Sequence, residues 1–332
     1  MIKKIADYII NYNSDEWNMN MKLFDWSPGV ALYGMYKVYE KTGDKKYLNF
    51  LTGWAEQHLK DVYSKKTVNS TAPLLTILEL YKINKNEEYL NVCKDIAEWI
   101  INEAPITRDG GLEHTVIEDV EGFSEQIWAD TLFMSCIFLA KLGVFISDNR
   151  YTDFAVKQLK IHHKLLFSEK ASLYYHGWNC EKKNHMSGVY WGRANAWIIY
   201  STMEIINTTG EFSGYSEICS YIKKHALALK NLQREDGSFG TILNDETSYS
   251  ETSAVGGISA GLRMAEEKGL LDSSYSSVWK KGIAYVKRSV CDNGRVSGVS
   301  HGTPVMKNAE EYKNIPIIPT LYGQGLAILS LI

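Results

Sequence analysis

Residues 42–48 read TGDKKYL and residues 84–90 read NKNEEYL. Each is a polar turn followed by a tyrosine and a fresh apolar-periodic run, so each ends one helix and begins the next. Looser copies occur at 147–154 (SDNRYTDF), 209–215 (TGEFSGY) and 270–277 (LLDSSYSS). The tyrosines recur at intervals of about 40 to 65 residues, the signature of a repeated helical hairpin. A second mark falls between them: RDGGLEH (108–114), EDGSFG (235–240) and DNGRVSG (292–298). These Asp/Asn-Gly turns with β-prone flanks predict small hairpins within loops.

Helical periodicity fills the intervals. GVALYGMYKVYEKTG (29–43), APLLTILELYKI (72–83) and ANAWIIYSTMEII (194–206) carry apolar residues at steps of three and four. Several of these runs are apolar nearly all round, which predicts burial on more than one side. Repeated helix pairs fit either an open solenoid or a closed double ring. The all-round apolar helices favour the ring: an all-α fold of about twelve helices, six outside and six inside. With 6 prolines and no low-complexity linker, the 332 residues read as one domain, 1–332. The inner helices' ends and their loops would line a central funnel.

Composition narrows the function. The net charge is -3, with no basic block, which argues against a nucleic-acid partner. No window has the apolar run that a membrane span requires. The cysteines are Cys93, Cys136, Cys180, Cys219 and Cys291, an odd number with no CxxC, as in a reduced cytoplasmic protein without structural zinc. The 9 Trp and 21 Tyr suit flat amphipathic ligands such as sugars, and equally a packed core. No cofactor or metal motif is present, and His162 and His163 lie on a helix that reads as polar.

One carboxylate stands out. In EQIWADTLFM (125–134), Asp130 sits in a run that otherwise asks to be buried. Read as a helix, 127–143 places Asp130 on one face with Ile127, Met134 and Ile137. Burial would raise its pKa and keep a proton on it, as suits a general acid. The other reading is an N-cap for a helix beginning at Thr131. Further on, YYHGWN (174–179) and VYWGRANAW (189–197) gather His176, Trp191, Arg193 and Trp197. Arg193 suits a carboxylate ligand or a structural acid; His176 is a site residue or a hydrogen-bonded loop residue.

These motifs, with WSPGVALYGMYKVYEKTGDKKYL (26–48), VNSTAPLLTILELY (68–81) and YGQGLAIL (322–329), resemble those of the unsaturated rhamnogalacturonyl hydrolases, glycoside hydrolase family 105. A more distant resemblance is to the unsaturated glucuronyl hydrolases of family 88. The resemblance implies an (α/α)6 barrel acting on small unsaturated oligosaccharides left by polysaccharide lyases. It makes Asp130 the acid that protonates C4 of a C4=C5 vinyl ether before water adds at C5. It also places His176, Trp191, Arg193 and Trp197 around the sugar, with Trp26 and Trp128 on the funnel wall. Asn69 stands where several relatives carry a second aspartate. His301 and Thr303 are further possible contacts in the loop at 297–320. Competing readings are an epimerase or inverting glycosidase on the same toroid, with Glu251 or Asp25 as second carboxylate, and a non-catalytic sugar-binding protein. The sequence does not fix the oligomeric state.

Overall fold

A computed structural model describes residues 1–116 and 122–332. Along the chain run α1 (Ile2–Asn11), α2 (Trp26–Thr42), α3 (Lys45–His58), α4 (Leu74–Asn84), α5 (Glu87–Asn102), α6 (Ile137–Ile146), α7 (Asn149–Leu166), α8 (Gly192–Thr209), α9 (Tyr215–Leu232), α10 (Thr252–Glu267), α11 (Ser276–Arg288), α12 (Ala309–Lys313) and α13 (Leu321–Leu331). Helices α2, α4, α6, α8, α10 and α13 pack each on the next, and α13 packs back on α2. That closes an inner ring. The outer helices α1, α3, α5, α7, α9 and α11 lie against it, which is the (α/α)6 barrel. The short α12 belongs to neither layer.

The two recurring marks in the sequence occupy opposite ends of the barrel. Each polar turn with tyrosine joins an inner helix to the following outer one. Asp44, Asn86 and Asp148 cap α3, α5 and α7 by accepting from backbone N–H groups two residues ahead, and Tyr47, Tyr89 and Tyr151 bury their rings behind them. The Asx-Gly loops lie at the other end, where outer helices return to inner ones. There Ile106 bridges Leu112, Gly240 bridges Ser250 and Val290 bridges Val296, single antiparallel bridges rather than extended hairpins.

Ring closure depends on close approach of α2 and α13. A Cβ on Gly34 would stand 3.0 Å from Gly325 Cα, and one on Gly325 would stand 2.5 Å from the Val30 carbonyl oxygen. The second distance excludes a side chain and the first would force the helices apart by a few tenths of an ångström, so these two glycines let the last helix seat on the first.

His162 and His163 depart from their sequence reading. Both are buried on the inward face of α7 rather than displayed on a polar one. His163 bonds Tyr174 Oη (2.5 Å) and Thr202 Oγ1 (3.0 Å), and His162 Nδ1 bonds the Gln158 carbonyl (2.7 Å). Burial depresses both, to about 4 for His162 and about 3 for His163, and pushes buried His225 down to about 3. A histidine whose folded pKa lies below its unfolded value of about 6.5 costs nothing above that pH and destabilises progressively as pH falls toward the folded value. Melting temperature followed by circular dichroism should therefore be flat above about pH 7 and fall steadily between about pH 6.5 and pH 4. A constant melting temperature over that range would contradict the assignment of neutral, buried imidazoles.

Candidate active site

The loops at the Asx-Gly end deliver the chain into the N-termini of the six inner helices. Asp25 caps α2, Trp191 precedes α8, Glu251 caps α10 and Thr320 caps α13. Asn69 lies in the short helical turn ahead of α4, and Asp130 lies just ahead of α6. Every inner helix thus points the positive end of its dipole at the same region, which favours an anion there. That region holds a cavity of about 390 Å³. Its apolar wall is Trp17, Trp26, Phe123 and Trp128; its polar atoms come from Asn69, His114, Asp130, His301 and Thr303.

Asp130 is not on a helix. Gln126–Trp128 form strand β1, and the helical turns begin only beyond it, with a π-helical stretch at Leu132–Cys136 leading into α6. Strand propensity of the Ile-Trp pair and a partner strand override the helical period. The remaining short strands are β2 (Phe167–Ser168), β3 (Leu173–Tyr174) and β4 (Gly177–Asn179). Strand β1 pairs antiparallel with β4, with Trp128 opposite Gly177. The Ala129 N–H donates to the His176 carbonyl at 2.9 Å, which extends that register to the site. The helix does begin at Thr131, and the Asp130 carbonyl accepts from the Phe133 and Met134 N–H groups at 3.0 and 3.1 Å, so Asp130 holds the N-cap position by its backbone while its side chain is turned to His176. A Cβ on Gly177 would stand 3.1 Å from the Trp128 ring and closer still to the Met186 and Val305 methyls, so a side chain there would make those groups shift.

His176 is fully buried, and its Nε2 lies 3.2 Å from Asp130 Oδ2. Among the described residues neither of these two atoms has a well-directed hydrogen-bond partner, so the contact is close but poorly aligned. Nδ1 of His176 lies 2.8 Å from the Tyr312 hydroxyl. Trp128 stacks on His114 at 4.3 Å and 12° and meets His176 edge-on at 5.2 Å. His114 Nδ1 is 3.0 Å from Thr131 Oγ1.

The pull on Asp130 runs opposite to the sequence expectation. Burial does push its carboxyl upward, but His176, His114 and Arg193 together outweigh it and hold Asp130 below the ordinary carboxylate range. Burial wins on the partners: His176 is lowered despite Asp130, and His114 falls to about 4. The resting pair is an ionised carboxylate beside a neutral imidazole.

The remaining predicted site residues are placed unequally. Asn69, Trp26 and Trp128 line the cavity beside Asp130. His176 stands directly behind Asp130, and Trp191 lies behind His176 with ring centroids 4.2 Å apart. Trp197 is buried inside the barrel against Phe133. Arg193 is buried too, under the loop at 297–320. Its guanidinium donates to Ser300 O (3.0 Å) and Oγ (2.8 Å), to His301 O (3.0 Å) and to Thr303 Oγ1 (3.1 Å), and it stands 3.5 Å from Glu251. Glu251 in turn accepts from the Ser300 and Ala254 N–H groups and from Ser253. The guanidinium therefore holds the loop that forms one wall, and Glu251 is committed to that structure. Asn195, one turn into α8, grips the backbone of Tyr174 through both side-chain atoms at 2.9 Å and so fixes the strand that leads to His176. Sequence reasoning passed over Trp17, Phe123 and His114; His114 was visible as the last residue of RDGGLEH, where only the turn was read.

A closed helical double ring with an aromatic, anion-favouring cavity and, among the described residues, one carboxyl on its wall fits a carbohydrate-active enzyme of the (α/α)6 class. The sequence profile of Glycosyl Hydrolase Family 88 matches residues 1–332, and the chain belongs to that family. It is 36% identical over 312 residues to the unsaturated rhamnogalacturonyl hydrolase YesR of Bacillus subtilis, covering 93% of this chain and 88% of that one. It is 32% identical over 320 residues to an unsaturated 3S-rhamnoglycuronyl hydrolase of Alteromonas sp., covering 92% and 76%. The crystal structure of a possible GH105 member from Salmonella enterica superposes with a TM-score of 0.94 at 28% identity, over 99% of this chain and 91% of that one.

Replacing Arg193 by Met should leave Glu251 buried without its cation, at a cost of about 3–5 kcal/mol in a urea melt. A loss below about 1 kcal/mol would show that the pair does not anchor the loop.

Proposed function

We propose that this protein hydrolyses lyase-generated oligosaccharides, removing a 4,5-unsaturated uronic acid from the non-reducing end. Unsaturated galacturonyl-rhamnose is the substrate that the similarity to YesR supports best. The observation that carries the reading is Asp130: among the described residues lining the cavity it is the single carboxylate. Hydration of a vinyl ether needs one proton-carrying carboxyl, whereas direct displacement at an anomeric carbon ordinarily needs two facing each other. Trp26 and Trp128 offer flat faces to the sugar, and Asn69, which does not titrate, offers both a donor and an acceptor.

The chemistry then follows from the charges. A bound uronate brings a second negative charge next to Asp130, and like charge raises a carboxyl pKa. Asp130 takes up a proton in the complex and delivers it to C4. Water adds at C5, returning its proton to Asp130. The resulting hemiketal opens to a ketone at C5, and the hemiacetal left at C1 releases the aglycone. His176, Trp191 and Trp197 act from behind the cavity wall, and Arg193 acts through the loop and through its field on Asp130. The family match along residues 1–332 supports a single catalytic unit. All five cysteines are free, which supports a reducing, cytoplasmic setting.

Lyase digests of rhamnogalacturonan, glycosaminoglycan and ulvan-type polymers supply the test. Absorbance of the conjugated C4=C5 bond should disappear with the rhamnogalacturonan pool. Asp130→Asn should slow that loss by about 10²–10⁴-fold with folding unchanged. Persistence of the absorbance in every pool, or a variant of near-normal rate, would overturn the reading. The pH profiles provide a second check. Because substrate raises the Asp130 pKa, the basic limb of kcat should lie at higher pH than that of kcat/KM, which reports the free protein. Coincident limbs would contradict the proton uptake on binding.

A further inference from the structure

The residue that partners the far side of His176 comes from a distant part of the chain. Tyr312 sits on α12, within the same C-terminal segment that contributes His301 and Thr303 to the cavity wall. Its side chain is fully buried, with its ring 5.7 Å from that of Trp191 and 6.0 Å from that of His176. The segment is held twice, by the Arg193 guanidinium at Ser300–Thr303 and by the Tyr249 hydroxyl on the Tyr312 carbonyl at 3.3 Å.

We propose that Tyr312 is a positioning residue for the reaction: its hydroxyl, bonded to His176 Nδ1, fixes the imidazole with Nε2–H toward Asp130. This rests on the reading of Asp130 as the proton carrier. The hydrogen count supports it. The Met306 N–H donates to the Tyr312 oxygen at 3.3 Å, taking one acceptor position. Burial pushes the phenol far up, so the hydroxyl keeps its proton, and in this proposal that proton lies in the 2.8 Å contact with Nδ1. A neutral imidazole that accepts at Nδ1 must carry its hydrogen at Nε2. Nε2 lies 3.2 Å from Asp130 Oδ2, poorly aligned in the free protein, and a hydrogen there favours the carboxylate over the acid. The other charged or titratable groups bearing on the pair are His114, stacked on Trp128, and Arg193, whose guanidinium lies 4.4 Å from the Trp191 ring. Docking of one segment thus completes both the substrate wall and the chain of polar contacts, Tyr312 to His176 to Asp130, that bears on the proton affinity of Asp130.

Tyr312→Phe tests this, with Asp130→Asn assayed beside it. The Phe variant leaves the imidazole without its Nδ1 partner, so the Nε2–H contact loosens and burial dominates at Asp130. The expected result is kcat reduced about tenfold with KM little changed, and the basic limb of kcat/KM moved up by about one pH unit. Nitrogen-15 spectra of the histidines, with His176 assigned by its loss in His176→Gln, should show the Nε2–H form in the native protein. A Phe variant with native kcat and native pH profile would overturn the proposal, as would an Nδ1–H form in the native spectrum. If Tyr312→Phe does not fold, that native spectrum decides alone. An inactive Asp130→Asn beside an unchanged Tyr312→Phe removes only the role of Tyr312. An active Asp130→Asn removes the function on which it rests.

Discussion

Closure of the inner ring is the constraint on which the site depends. With α13 seated on α2 through Gly34 and Gly325, six inner helices stand around one axis and begin at the same end. Asp25, Asn69, Asp130, Trp191, Glu251 and Thr320 are far apart in the chain, and each stands at or just ahead of the start of an inner helix. An open solenoid of the same hairpins would spread those helix starts along an edge. In the ring they begin at the same end as the cavity that Asn69 and Asp130 line, and their dipoles favour an anion there.

Opposed forces then act on one carboxyl. Burial favours the protonated form of Asp130, while His176, His114 and Arg193 favour the ionised form and prevail in the free protein. A site poised this way answers to added charge. On the proposed reading, an anionic sugar works against the hold that Arg193 and the two imidazoles exert on Asp130, so proton uptake would be coupled to the arrival of the correct substrate. A neutral sugar of the same shape would leave Asp130 ionised and without a proton to give. Specificity for a uronate and competence for proton transfer therefore share one electrostatic cause.

Much of the architecture was legible because helix ends are written in local chemistry. Asp44, Asn86 and Asp148 announce helix starts, and the buried Tyr47, Tyr89 and Tyr151 repeat behind them. The Asx-Gly turns separate one end of the barrel from the other. What the sequence hid was tertiary. The period of IWADTLFM reads as helix, and only pairing with Gly177–Asn179 makes its first residues a strand. The groups that act on Asp130 come from residues 114, 176 and 193, which no window brings together, so burial alone dominated the expectation for its pKa. Arg193 was recognisable as a cation for a substrate carboxylate or a structural acid, but its partners Glu251 and Ser300–Thr303 lie 58 to 110 positions away. Tyr312 carried no signal at all beyond a tyrosine in a polar loop.

The central claim is that proton delivery to C4 and hydration at C5, rather than substitution at the anomeric carbon, break the glycosidic bond. The most direct measurement is turnover of an unsaturated galacturonyl-rhamnose in deuterium oxide, with the product read by proton and carbon NMR during the first minutes. The account predicts one deuterium on C4 of the released uronic acid, appearing in step with loss of the double bond. A released uronic acid that retains C4=C5 and carries no deuterium at C4 would contradict it.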